Sequence, residues 1–192
     1  MVWYVSYGSN LLAERFAVYL EGGAPPGRTQ VQAGARDASR WQDDRPVMVP
    51  HRLFFAGESR WWDGGGVAFV DPAPGEALTR GRAYLITAEQ FQDVLAQESG
   101  RAVGSEVDWA PAVADGSVRL GDNGYDLVIH LGDADGWPMV TFTTPRPPAE
   151  HQLNAPGVSY RSTIAQGLAQ SHGLSGAQAD EYLSRWSVLS RG

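Results

Sequence analysis

Residues 4–16 read YVSYGSNLLAERF, and the change of character at Tyr7 organises the rest of the chain. Residues 2–6 (VWYVS) are β-branched and aromatic, which predicts a short strand. Tyr7-Gly8-Ser9-Asn10 interrupts it. Leu12, Phe16 and Leu20 then recur every fourth residue, with Glu14 and Arg15 between them, which predicts an amphipathic helix with Ser9 or Asn10 as its N-cap.

Downstream the pattern is mostly strand. Residues 21–46 are rich in Gly, Pro and charge and read as a long connection or insertion. Residues 47–56, 66–70 and 81–86 read as strands, with WWDGGG in a loop between the first two and a turn at Pro72 and Pro74. Trp61-Trp62 is the Trp pair expected to be exposed. Thr87 and Gln90 have capping-box spacing at the head of a helix whose apolar stripe is Phe91, Val94 and Leu95 and which ends at Glu98. Residues 117–143 read as strands with turns, GDADG marking a hairpin. Two helices, about 159–172 and 176–189, close the chain, with Gly173 ending the first. The order predicts an α+β fold with a mixed or antiparallel sheet rather than βαβ alternation, and the length of 192 residues suits a single domain over 1–192.

Composition narrows the chemistry. The chain has no Cys, which removes thiolate nucleophiles, disulfides and Cys-ligated zinc and fits a cytoplasmic setting. All its basic residues are Arg, so there is no Walker lysine or Schiff-base lysine. The net charge of −7 with scattered Arg argues against nucleic acid or anionic membrane as a partner. No apolar run is long enough to span a bilayer, and the first ten residues read as mature protein rather than a signal peptide. The four His lack metal-motif spacing, and Asp133-Ala134-Asp135-Gly136 lacks the remaining ligands of a calcium loop. Ser9 has no His and Asp at informative spacing to activate it as a nucleophile.

Two features remain. Tyr7-Gly8-Ser9-Asn10 turns from a strand into a helix, where free N–H groups and a Gly suit a carboxylate or an oxyanion. Glu98 ends a helix with an apolar face, where partial desolvation would raise its pKa toward neutral. Read locally, each also has a plain structural explanation: a capped turn, and a solvated carboxylate at a helix end.

Further stretches bear on the choice. HRLFFAG (51–57), GGGVAFVDPAPGE (64–76), GRAYLIT (81–87), FQDVLAQESG (91–100) and APGVSYRSTIAQGLAQSHGL (155–174) follow YVSYGSNLLAERF in order. Together these blocks resemble the γ-glutamylcyclotransferase family over most of the chain. The resemblance implies a compact barrel-like mixed β-sheet flanked by helices. It implies a substrate-binding segment of Tyr4, Val5, Ser6, Tyr7, Gly8 and Ser9 with Asn10 beside it, Tyr160 as a further pocket residue, and Glu98 as general acid/base. The implied reaction is attack of a γ-glutamyl α-amine on its own γ-carbonyl, releasing 5-oxoproline and an amine or amino acid. It calls for a small-molecule γ-glutamyl substrate and no metal or cofactor.

The sequence departs from the family pattern in places. Ser99 follows Glu98 where the family often has Gly, and GRAVGSEVDW (100–109) has no Tyr. Asn10 follows the loop Ser where glutathione-specific relatives usually have Leu, which ranks glutathione lower as a substrate. The alternative reading is a non-catalytic binding protein on the same fold. The discriminating geometry is whether Glu98 faces the 7–10 loop across a pocket.

Overall fold

The computed structural model describes residues 1–25, 31–122 and 124–187. Part of the 21–46 connection (26–30), one position of the 117–143 stretch (123) and the expected end of the last helix (188–189) lie outside the described residues.

Strand β1 (Val2–Ser6) lies inside a six-stranded sheet of order β2-β3-β1-β6-β5-β4. It pairs antiparallel with β3 (Val67–Ile86) and parallel with β6 (Trp137–Thr143). All five β1 residues are buried, and alternation divides their side chains between two faces. Val2 and Tyr4 join Phe16, Leu20, Tyr84, Phe91, Leu95 and Phe142 in the largest core cluster. Trp3 and Val5 pack with Val49 and Ala83 on the other face. Helices α1 (Ala13–Glu21) and α2 (Ala88–Glu98) therefore cover the Tyr4 face. A third cluster joins Tyr7, Leu11, Phe55 and Val70 to α4 (Val158–His172) and α5 (Gly176–Ser187).

The mixed sheet flanked by helices agrees with the sequence reading, but the sheet is open, with β2 and β4 at its edges. Several boundaries differ from expectation. Strand β2 (Asp43–Ala56) begins four residues earlier than read, so residues 43–46 belong to the sheet and not to the connection. Residues 67–70 and 81–86 are the ends of one long strand, β3, which begins one residue later than read and continues through Pro72 and Pro74 without a turn. The prolines are tolerated because β1 pairs with β3 only at 82–86, so the edge of β3 beside them is not held by β1. Register shifts on either side of His51 absorb the irregularity. The region 117–143 resolves into β4 (Ser117–Arg119), β5 (Leu127–Ala134) and β6, and the β5–β6 hairpin turns at Asp135-Gly136, both with positive φ. A short helix, α3 (Pro111–Asp115), is an addition the sequence pattern did not signal.

Two devices position the elements around Glu98. Thr87 and Gln90 form the expected capping box at the head of α2. Buried Asp93, five residues before Glu98 on α2, accepts hydrogen bonds from the backbone N–H groups of Arg36 (2.8 Å) and Gly104 (2.9 Å). It also pairs with the Arg36 side chain, so the described part of the connection and the loop after α2 are both fastened to that helix.

Helix α4 holds the 7–11 segment from outside. A Cβ on Gly167 would lie 2.5 Å from the Leu11 carbonyl carbon and Cβ and from Leu12 N. Gly167→Ala is expected to destabilise the protein. The overpacking cost of roughly 1–3 kcal/mol exceeds the gain of about 1 kcal/mol in helix propensity. Thermal denaturation should show a midpoint lowered by a few degrees; an unchanged or raised midpoint would refute this packing.

Candidate active site

At the end of β1 the chain passes through Tyr7 and Gly8 into a 3-10 turn, Ser9–Leu11, before α1 begins at Ala13. Ser9 and Asn10 are therefore not the N-cap of α1. That position falls to Leu12, which makes no side-chain cap. The turn closes through Leu11 N–H to Gly8 O and Leu12 N–H to Ser9 O, each 3.1 Å. Because Asn10 is freed from capping, its side chain points inward. It is buried, and its Nδ2 donates to Glu98 Oε1 at 3.0 Å. A longer contact, 3.4 Å, reaches the Tyr4 hydroxyl. Asn10 Oδ1 is buried with no hydrogen-bond partner.

These residues line a cavity of about 240 Å³. Of the residues singled out from the sequence, Tyr4, Ser6, Tyr7, Gly8, Ser9, Asn10, Glu98 and Tyr160 all contribute to its wall. Val5 does not: strand alternation turns its side chain to the opposite face, where it packs with Trp3, Val49 and Ala83. Glu98 and the 7–10 loop thus meet across one pocket of ligand size.

Tyr160 enters from α4. Its hydroxyl accepts a hydrogen bond from Ala68 N–H at 3.2 Å, and the Ser9 N–H lies beside it. Its ring packs on Trp62, with centroids 4.7 Å apart. Gly8 makes this approach possible, since a Cβ there would sit 2.8 Å from the Tyr160 hydroxyl oxygen. Tyr7 is anchored by donating to Phe142 O at 2.7 Å.

Electrostatically the wall is simple. Burial pushes the phenols of Tyr4, Tyr7, Tyr19, Tyr125 and Tyr160 above the ordinary range. They are neutral hydroxyls at physiological pH. The formal charges in the wall among the described residues are Glu98 and Arg15. Burial raises the pKa of Glu98, and this outweighs the opposing influence of the Arg15 charge, the Tyr19 hydroxyl and the Asn10 amide. Such a carboxylate is less costly to protonate than one in water. Among the described residues, no cluster of three His, Asp or Glu side chains is placed to hold a metal ion.

The sequence reading missed much of the wall. Arg15 and Tyr19, one turn apart on α1, were visible only as polar neighbours of the Phe16–Leu20 stripe. Arg15 nonetheless adjoins that stripe and is 5% exposed. Trp61 and Trp62, expected to be exposed in a loop, instead line the pocket from a 3-10 turn at Arg60–Trp62. Segment 100–109, where a Tyr is missing, supplies none of the wall; Tyr19 and Tyr125 bring aromatic hydroxyls from α1 and from the turn before β5.

No family model matches the sequence. A curated protein, Histone deacetylase 5 of Arabidopsis thaliana, is 34% identical over 203 residues, an alignment covering 96% of this chain. The chain spans only 30% of the length of that relative. Among solved structures, one named gamma-glutamyl cyclotransferase superposes with a TM-score of 0.55 at 18% identity, covering 100% of this chain and 91% of the other. The crystal structure of an uncharacterized protein from Homo sapiens gives the same score and identity, with 100% and 90% coverage. The likeness at this identity is one of fold: the chain has the fold of a gamma-glutamyl cyclotransferase structure.

Proposed function

We propose that the 192 residues form one γ-glutamylcyclotransferase-like domain that converts a γ-glutamyl substrate into 5-oxoproline and a free amine or amino acid. The observation that carries this reading is the contact between Asn10 and Glu98 inside the shared pocket, which places a carboxylate of raised pKa against the 7–10 loop. The cyclotransferase fold supports it. The absence of Cys accords with a cytoplasmic setting.

In the proposed reaction the glutamyl end lies along Gly8–Asn10, with the Tyr160 hydroxyl donating to its α-carboxylate. The α-ammonium meets the Glu98 carboxylate, which lines the pocket. Glu98 takes one proton, leaving a lone pair on the nitrogen. That nitrogen attacks the γ-carbonyl carbon, forming the ring C–N bond and an oxyanion that loop N–H groups stabilise. The carbonyl re-forms as the original amide C–N bond breaks, and Glu98 returns its proton to the departing nitrogen. The lactam nitrogen sheds a second proton by the same route, and the released amine takes it up. Because the nucleophile is tethered, proximity supplies up to roughly 7–11 kcal/mol of the barrier reduction.

The test is release of 5-oxoproline from a panel of γ-glutamyl amino acids and amines. Release that depends on Glu98 supports the proposal; silence across the panel overturns it. A second reading, a non-catalytic binding module, is favoured by the match to a limited part of a much longer plant protein. It predicts ligand binding by the parent without turnover.

The raised pKa of Glu98 gives a pH prediction. The base form starts the reaction, so kcat/KM should fall as pH drops through a value above the ordinary carboxylate range. Stability runs the other way. With a folded pKa above the unfolded one, the native state binds the extra proton. Its contribution is present at low pH and is lost as pH rises from the unfolded to the folded value. Glu98→Gln should therefore be at least as stable as the parent at pH 7–8, with the advantage vanishing in acid. A Gln variant less stable than the parent at neutral pH would contradict the assigned direction.

A further inference from the structure

Arg15 is the unexplained charge of the pocket. It is 5% exposed and lines the same cavity as Glu98. Its Nη1 donates to Gln32 Oε1 at 3.2 Å and its Nη2 to the Tyr19 hydroxyl at 3.1 Å. The guanidinium also lies 4.6 Å from the centroid of the Tyr19 ring. These direct partners are neutral, and the Glu98 carboxylate, which feels the Arg15 charge, adjoins the far side of Tyr19. Among the described residues no carboxylate lies within 4.0 Å of the guanidinium, and its Nε is buried without a hydrogen-bond partner. A buried guanidinium facing a cavity with neutral partners is suited to an anion delivered by the ligand.

The order of contacts says which part of the ligand this is. Tyr160, Ala68 and Gly8 contact one another in the wall. Asn10 and Glu98 come next. Tyr19 follows, adjoining Glu98, and Arg15 and Gln32 lie beyond it. If the glutamyl end occupies the Tyr160 side, Arg15 faces the departing amine. There the cavity adjoins a second one, of about 340 Å³, which shares Tyr19 and Gln32 as lining and adds Gln97 and Arg101.

Resting on the cyclotransferase reading, we infer that Arg15 is a specificity-determining residue that pairs with a carboxylate on the leaving group, so that this site prefers γ-glutamyl α-amino acids to γ-glutamyl amines. Arg15 has no role in breaking or making bonds.

The test is a matched pair: γ-glutamyl-alanine and γ-glutamyl-ethylamide, which differ by that carboxylate alone. For the parent protein, 5-oxoproline release should favour γ-glutamyl-alanine by roughly 10- to 100-fold in kcat/KM, the size expected of one charge-assisted pair and seen mainly in KM. In Arg15→Gln the ratio should fall to near one. The ratio cancels any change that the variant makes to both substrates, and the parent comparison needs no variant to fold. Calorimetric binding of both compounds to the parent runs alongside. Equal turnover and equal affinity overturn the Arg15 assignment while leaving the cyclotransferase reading standing. Neither turnover nor binding of either compound overturns both. Binding that favours γ-glutamyl-alanine without 5-oxoproline release supports Arg15 and sinks the cyclisation.

Discussion

Glu98→Gln is expected to lower 5-oxoproline release by roughly 10²- to 10⁴-fold, the range over which a positioned acid–base group contributes. The substitution keeps the size and an acceptor oxygen, so the hydrogen bond from Asn10 Nδ2 can persist. What it removes is the only carboxylate among the described residues lining the pocket. No neighbour can take over. The phenols beside it are held protonated by burial, and Arg15 cannot act as a base. Substrate affinity should change by much less, because the 7–10 loop and Tyr160 would hold the glutamyl end. Turnover and calorimetric binding, measured on the same preparation, check this. A variant that keeps its rate would remove Glu98 from the chemistry. One that loses binding as completely as turnover would make it a structural residue.

Gly8→Ala is expected to have the second largest effect. The added Cβ would lie 2.8 Å from the Tyr160 hydroxyl oxygen and 3.4 Å from Ala68 Cβ. The tyrosine cannot simply swing away, since its hydroxyl is held by Ala68 N–H and its ring by Trp62 and Phe55. Either the loop or Tyr160 must shift by a few tenths of an ångström or more. Misplacement on the scale of 1 Å can cost about 10²-fold in rate, so a reduction of roughly 10-fold to 10²-fold is the expected outcome. Circular dichroism and thermal denaturation would show a folded protein. Full activity in that folded variant would mean that the loop and Tyr160 do not jointly hold the substrate.

The sequence was most informative where one rule acted alone. Strand β1, the capping box at Thr87 and Gln90, and the hairpin at Asp135-Gly136 each follow from local patterning, and the structure contains them. Pro72 and Pro74 carry a local turn signal that the sheet overrides. Inside β3 they lie where β1 has no ladder to offer, and no local rule reveals that edge. At Ser9 and Asn10 the error was chemical. Both are good caps, but tertiary packing against α4 bends the chain into a 3-10 turn and spends Asn10 on Glu98. The pocket itself was half legible. The loop, Glu98 and Tyr160 came from an ordered set of motifs, whereas Arg15, Tyr19, Trp61 and Trp62 converge only through the fold. Val5 shows the limit of transferring a whole segment: it belongs to the stretch by position, yet alternation points its side chain away from the site.

The central claim is that this pocket closes a lactam from the substrate's own α-nitrogen, and isotope tracing addresses it most directly. A γ-glutamyl amino acid labelled with ¹⁵N at the glutamyl α-position should yield 5-oxoproline carrying the label in its ring, with stoichiometric release of the unlabelled amino acid. Labelled free glutamate as the product would instead mean that water attacks the amide, and the cyclisation account would be contradicted.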